Sequence, residues 1–452
     1  MKKLIADIGK TVGRMKPMHA VNNGPVYKFK EDQRITNIEH FRKAGIPYAR
    51  NHDAAHCETY GGEHIVDVHA IFPDFDADEY DENSYDFACT DEYLRVIDFA
   101  GVKTFYRLGS KIEHGVKKYG TLPPKDFKKW AVICEHIIRH YVYGWANGFH
   151  YDIKYWEIWN EPDLDPDDSD NKRNWGGTKA QFFDLYEIAA KHLKKCFPSL
   201  KIGGPGLGGQ WDWGEEFLRE MKKRSVPIDF LSWHCYTSDV AKFKMFVSHW
   251  RRVLNDAGYP DAESILDEWN YVCGWTAEKW IRSLKTIKSN KGAAFVAGAM
   301  EECQNLGLDM LMYYDARPHA MNGLFQTDMV CEVLKGYYPF YMFNQLYRLK
   351  NAVEVKSLSE NLYGCAASDG TESAIMFTLY HDQETSGDVI ELEIVNLDAV
   401  KGANMEFYLL DEDHDCTLVK TETVHSDKYN GTLQLKMYST VLVKIKNGNE
   451  KR

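Results

Sequence analysis

Two glutamates in matching surroundings are the residues best placed to do chemistry. Glu161 closes the run Tyr155-Trp156-Glu157-Ile158-Trp159-Asn160-Glu161-Pro162, and Glu268 lies in Ser264-Ile265-Leu266-Asp267-Glu268-Trp269-Asn270. Both runs are apolar and aromatic, as buried strands are, and each carries a carboxylate near its end. Pro162 has no N–H to give a sheet and restricts the residue before it, so the strand stops at Glu161. Two carboxyl groups on separate strand ends can flank a glycosidic bond. One protonates the leaving oxygen while the other meets the oxocarbenium-like centre. Glu161 reads as the acid/base and Glu268 as the nucleophile, and this chemistry needs no cofactor. Glu157 shares strand parity with Glu161 and is a rival carboxylate, but four residues earlier it belongs deeper in the fold.

The elements that position these groups alternate. From residue 12 to 345, short apolar strands predicted at 46–50, 103–108, 155–160, 201–204, 229–235, 264–269 and 309–314 are separated by amphipathic helices. In the helix predicted over 178–195, Phe182, Leu185, Ala189 and Leu193 share a face, and Thr178 with Gln181 forms a capping box. Close to eight βα units predict a closed (β/α)8 barrel, with Glu161 on strand four and Glu268 on strand seven, both at the C-terminal face. An open doubly wound sheet is the alternative. Against it, Gly203-Gly204-Pro205-Gly206-Leu207-Gly208-Gly209 matches neither phosphate-binding fingerprint and reads as a strand end approached closely by other groups. Beyond residue 346 the pattern changes to short alternating strands parted by Gly, Asn and Asp, which predicts a β-sandwich domain over 346–452. Residues 1–11 are a candidate to add a strand to it.

Composition removes other classes. A net charge of −12 leaves no basic footprint for nucleic acid or an anionic membrane. No apolar run is long enough to span a bilayer. The ten cysteines are scattered with no CxxC pair, which fits reduced thiols better than a disulfide scaffold. The charged opening has no apolar h-region behind it, so a native start at Met1 predicts a cytoplasmic protein. His52 and His56 have an i,i+4 metal-like spacing near Asp53 and His69. That spacing converges only on a helix, and this segment leaves a strand, so no metal is expected. Asp67-Val68-His69 alternates like a hairpin in an insertion, 63–82, that would wall one side of a pocket. Glu113 and His114 follow strand three, and Trp269, Trp275, Tyr313 and Tyr314 lie near strand ends as candidate sugar-stacking faces.

Trp159-Asn160-Glu161-Pro162 resembles the acid/base signature of the retaining (β/α)8 glycosidase clan. With Tyr48-Ala49-Arg50-Asn51-His52, Trp233-His234-Cys235-Tyr236 and a trailing β-sandwich, the chain is most similar to glycoside hydrolase family 39, the β-xylosidase and α-L-iduronidase family. The resemblance implies that Asn160 binds the sugar 2-hydroxyl and that Tyr236 orients Glu268. It also implies that His52 and His234 contact sugar hydroxyls, and that Arg50 helps keep Glu268 ionised. Two departures stand out. Asp267 precedes the nucleophile where the family more often has Thr or Ser, and strand alternation aims Asp267 away from Glu268. Asp53 follows His52 where the family tends to have glycine, which leaves the sugar open. The resulting expectation is a retaining, exo-acting, β-xylosidase-like hydrolase of short oligosaccharides or glycosides. The alternatives are a carbohydrate-binding protein on a decayed barrel, or a glycosidase for arabinose, glucose, galactose or a uronic acid. The sandwich also offers a surface for a homo-oligomer.

Overall fold

The computed structural model describes residues 1–30, 33–53, 65–327, 332–383, 386–397 and 402–447. Eight parallel strands close a barrel: Ala20–Asn22, Tyr48–Arg50, Lys103–Leu108, Tyr155–Ile158, Lys201–Gly203, Phe230–Thr237, Glu263–Tyr271 and Met310–Tyr313, here strands one to eight. Strand one has only three residues, Ala-Val-Asn, and no periodicity of its own; pairing with strands two and eight defines it.

Side chains pointing inward fill the barrel in layers. The lowest is apolar: Ala20, Phe105, Tyr155, Phe230, Ile265, Met310 and Met312. Above it comes a buried polar layer, and then the mouth where strands four, six and seven end. The helix Lys179–Cys196 carries the capping box on Thr178 and Gln181, and buries Phe182, Leu185, Ala189 and Leu193.

Tyr27–Lys30 and Gln33–Thr36 pair as a separate two-stranded sheet, and nine further strands form one hydrogen-bonded sheet. Its order is Asp415–Val424, Ala403–Leu410, Ser439–Asn447, Glu372–Leu379, Leu362–Ser368, Asn351–Ser357, Lys2–Arg14, Asp388–Val395 and Lys428–Leu435. Side chains from both halves, among them Phe377, Val443, Leu392 and Phe407, share one apolar core, so the sheet rolls over on itself. The chain's first strand lies inside it, antiparallel to Asn351–Ser357 and parallel to Asp388–Val395. Between sheet and barrel lies the helix Asn290–Gln304, buried along nearly its whole length. Its Gly298 faces Tyr363 so closely that a β-carbon there would stand 3.3 Å from the ring.

Among the described residues no helix is long and apolar enough to cross a membrane. The eight described cysteines are free thiols. His56 and most of the segment after Asp53 lie outside the described residues. The expected hairpin at Asp67-Val68-His69 is instead a short helix, Val68–Ile71, opened by backbone bonds from Ala70 and Ile71 to the Asp67 carbonyl.

Candidate active site

Strand four stops at Ile158, and the chain then turns sharply. Trp159 has φ 74° and Glu161 φ 46°, left-handed values that cost a residue with a side chain roughly 1–3 kcal/mol each. Extended backbone before Pro162 was the expectation. Hydrogen bonds override that preference: Trp159 N–H donates to the Leu108 carbonyl at 2.7 Å and Glu161 N–H to the Gly206 carbonyl at 2.9 Å. The Glu161 carboxylate is then held at both oxygens. Asn174 Nδ2 donates to Oε2 at 2.8 Å, and His234 Nδ1 lies 2.8 Å from Oε1. Asn174 is buried in the loop after the motif, and nothing in its local sequence marks it.

Glu268 receives Arg50 Nη1 on Oε1 at 2.8 Å and the Tyr236 hydroxyl on Oε2 at 2.8 Å. His52 Nε2 stands 3.7 Å from Oε1 and His234 Nδ1 3.5 Å from Oε2. Glu161, His234 and Glu268 each place a nitrogen or carboxylate oxygen within 4.8 Å of the others. All seven residues singled out from sequence, Arg50, His52, Asn160, Glu161, His234, Tyr236 and Glu268, thus gather at one barrel mouth.

The glycine-rich turn serves that gathering. Gly206 has φ 62°, and a β-carbon there would sit 3.3 Å from Asn160 Oδ1 and His234 Nε2, and 3.4 Å from Arg50 Nη2. Only glycine fits both the backbone angle and the space.

Arg50, fully buried, is the hub. Its guanidinium reaches Glu157 Oε2 at 2.7 Å, Asp267 Oδ2 at 3.1 Å, Glu268 Oε1 at 2.8 Å, Asn160 Oδ1 at 2.6 Å and Asn22 Oδ1 at 3.1 Å. Asp267 therefore points into the barrel, against the alternation expected of it. The register between strands six and seven slips between Leu266 and Glu268, a β-bulge that lets two consecutive carboxylates face one way.

Charge sorts itself among these groups. Burial, with Asp267 adding repulsion against the pull of Arg50, raises Glu157 to about 8. For Asp267, Arg50 and His234 outweigh burial and hold its carboxyl below the usual range. Burial opposes the imidazolium of His234, but Glu268, Asp267 and Glu161 prevail and raise its pKa well above the ordinary value. His234 thus favours holding a proton between the two glutamates. Burial also raises Glu268, with His234 and Arg50 pulling it back. His52 is pushed the other way by burial and stays neutral.

The Glu157 proton has a measurable consequence. In the unfolded chain Glu157 ionises near 4.5, and in the fold only near 8. This contribution to stability is complete below pH 4.5 and is lost as pH rises through 8. Glu157→Gln cannot ionise. Between pH 5 and 8 the wild type is expected to lose about 1–3 kcal/mol more stability than the variant, read as a steeper fall in Tm. Parallel Tm–pH curves would mean that Glu157 is ionised in the fold throughout.

Around this centre, Asp53 meets Lys111 at 3.4 Å, Arg317 at 3.2 Å and the Tyr314 hydroxyl at 3.1 Å. Among the described residues no metal-type cluster includes His52, Asp53 or His69. Glu113 staples its own loop, accepting from Tyr119 N–H, Thr121 N–H and the Thr121 hydroxyl. Trp269 and Tyr313 are core residues packed with Phe295 and Phe340. Trp275 is different: 66% exposed, it stacks on Trp280 and meets the Tyr236 ring edge-on at 5.6 Å.

Residues 28–250 match the model of the family described as Glycosyl hydrolases family 39. That stretch includes Arg50, His52, Asn160, Glu161, His234 and Tyr236; Glu268 lies beyond it. A beta-xylosidase of Geobacillus stearothermophilus is 33% identical over 142 residues, 30% of this chain and 26% of that protein. The aligned stretch thus spans about a quarter of that relative's length. Among solved structures, a glucosidase from Croceicoccus marinus superposes with a TM-score of 0.79 at 22% identity, covering 99% of both chains. A monomeric beta-xylosidase from Caulobacter crescentus superposes with a TM-score of 0.70 at 16% identity, covering 99% of this chain and 100% of that one. The chain therefore carries the signature of glycosyl hydrolases family 39 over residues 28–250, on a barrel-and-sheet fold that it shares with these structures along its length.

Proposed function

We propose that the protein is a retaining, exo-acting glycoside hydrolase that cleaves short β-xyloside-like substrates by double displacement. The observation that carries this reading is the pairing of Glu161 and Glu268 oxygens within 4.8 Å across His234. Retaining glycosidases hold their carboxyl groups about 5–5.5 Å apart, whereas inverting ones leave about 6.5–9.5 Å for a water. Glu161 protonates the leaving oxygen as Glu268 attacks the anomeric carbon, forming a glycosyl-enzyme; Glu161 then takes a proton from the water that releases the sugar. Arg50 and Tyr236 stabilise the carboxylate form of Glu268 before attack. Asn160, fixed by Arg50, presents its amide to the sugar 2-hydroxyl, and His52 faces the same pocket. The insertion packed beside the mouth, tied by the Asp67–Arg107 ion pair at 2.6 Å, supports attack from a chain end.

The glycone has two readings. The curated beta-xylosidases similar to residues of this chain favour xylose. The similarity of the whole chain to a glucosidase structure favours glucose. A panel of p-nitrophenyl glycosides, with the product anomer followed by NMR before mutarotation, tests both. The expected result is turnover of the xyloside with retained configuration. An inverted first product would sink the mechanism. Preference for the glucoside would select the second reading. Binding without turnover across the panel would favour a carbohydrate-binding role.

A further inference from the structure

Away from the mouth, three side chains of metal-binding type converge on the helix layer. His192 and Cys196 lie one turn apart at the C-terminal end of helix Lys179–Cys196, on one face. Glu135 comes from the neighbouring helix Phe127–Tyr143. Glu135 Oε2 is 2.6 Å from His192 Nε2, and Cys196 Sγ is 3.8 Å from the same nitrogen. One ligand atom from each residue falls within 4.8 Å of the others.

We propose that Glu135, His192 and Cys196 bind a zinc-like divalent cation, with water as the fourth ligand. Zinc distances of about 2.0–2.1 Å to nitrogen or oxygen and about 2.3 Å to sulfur put tetrahedral edges at about 3.3 Å for N–O and about 3.6 Å for S–N. The sulfur–nitrogen separation already matches. The Glu135–His192 pair must open by about 0.7 Å, within reach of a carboxylate rotation, once the cation replaces the proton between them. Arg139 binds the other carboxylate oxygen, Oε1, at 2.6 Å, which leaves Oε2 for the metal and orients it from behind. The last turn of a helix carries partial negative charge that favours a cation, and the half-exposed His192 leaves an entry path. Binding converts the Cys196 thiol to thiolate and releases its proton to solvent. The ion would then clasp the helix before strand four to the helix after it, flanking the strand that leads into Glu161.

The test uses the full chain, stripped of metal with a chelator and titrated with Co(II) and then Zn(II). The expected result is one Co(II) per chain with a thiolate-to-cobalt charge-transfer band, bleached by Zn(II) and accompanied by proton release. Cys196→Ser removes the band, His192→Ala weakens binding at least about 10-fold, and both keep wild-type glycoside turnover. Because the band is read on the wild type, the outcome does not depend on the variants folding. No band at millimolar cobalt, or one that persists in Cys196→Ser, overturns the proposal. Binding without a sulfur band also overturns it, since the Glu161–His234–Glu268 cluster offers no thiol.

Discussion

Glu268→Ala is expected to lose on the order of 10⁴-fold or more in glycoside turnover, and Glu161→Ala a smaller, substrate-dependent factor of about 10²–10⁴. The asymmetry follows from what each group does. Without Glu268 no glycosyl-enzyme forms, whatever the leaving group. Without Glu161 an activated p-nitrophenolate still departs, so the intermediate forms and then waits for water that no base activates. Azide separates the two. In Glu161→Ala it attacks the trapped intermediate and gives a glycosyl azide of retained configuration. In Glu268→Ala it enters the space left by the carboxylate and gives the inverted azide. Glu161→Ala leaves the charge hub around Arg50 intact, so its Tm should change little beside the loss of rate, whereas Glu268→Ala removes one of Arg50's partners. Retained azide from Glu268→Ala would take the nucleophile assignment away from that residue.

The largest stability effect is expected at Arg50. Arg50→Met leaves the buried carboxylates of Asp267 and Glu268 with only the His234 imidazolium as a cation, and breaking such a buried pair typically costs about 3–5 kcal/mol. Part of that cost is escaped by protonating the carboxylates. The Tm deficit against wild type should therefore shrink at pH 5 and widen at pH 8. Arg50→Lys restores the charge but not the planar fork that reaches Glu157, Glu268 and Asn160 together, so it should recover stability more than turnover. Turnover falls in both variants because Glu268 and Asn160 lose the group that aims them. A Met variant that melts with the wild type at pH 8 would show that Asp267 and Glu268 are not held ionised around this side chain.

Much of this site was legible because its members sit in recognisable local patterns. Asn160 and Glu161 close a strand before a proline, His234 and Tyr236 share parity on strand six, and Arg50 and His52 end strand two. What escaped the sequence was decided by contacts distant along the chain. The bulge that turns Asp267 inward exists only in the pairing of strands six and seven. Asn174 reaches Glu161 from a loop without periodicity. Strand one, three residues long, is defined by its two neighbours, and its Asn22 reaches both Arg50 and the Asp267 carbonyl. Trp269 and Tyr313 look like sugar platforms in sequence because aromatic residues near strand ends serve packing and binding equally. Their burial assigns them to the core, while Trp275 stands exposed beside Tyr236. The alternating strands after residue 346 were readable one by one, but their order, with the chain's first strand among them, was not.

That first strand sets a schedule for biogenesis. Lys2–Arg14 joins Asn351–Ser357 on one side and Asp388–Val395 on the other, so in chain connectivity the barrel is inserted into the sheet. During synthesis the strand emerges before the barrel, yet its neighbours follow only after the barrel has been translated. Until then both of its edges are open, and an unpaired edge is a template for joining another chain. A barrel able to fold as it emerges would carry this strand unpaired throughout, and the sheet would close only after the barrel has been translated. Deleting Lys2–Arg14 would spare every group at the barrel mouth yet split the sheet, leaving Asp388–Val395 and Lys428–Leu435 as an antiparallel pair cut off from the other strands.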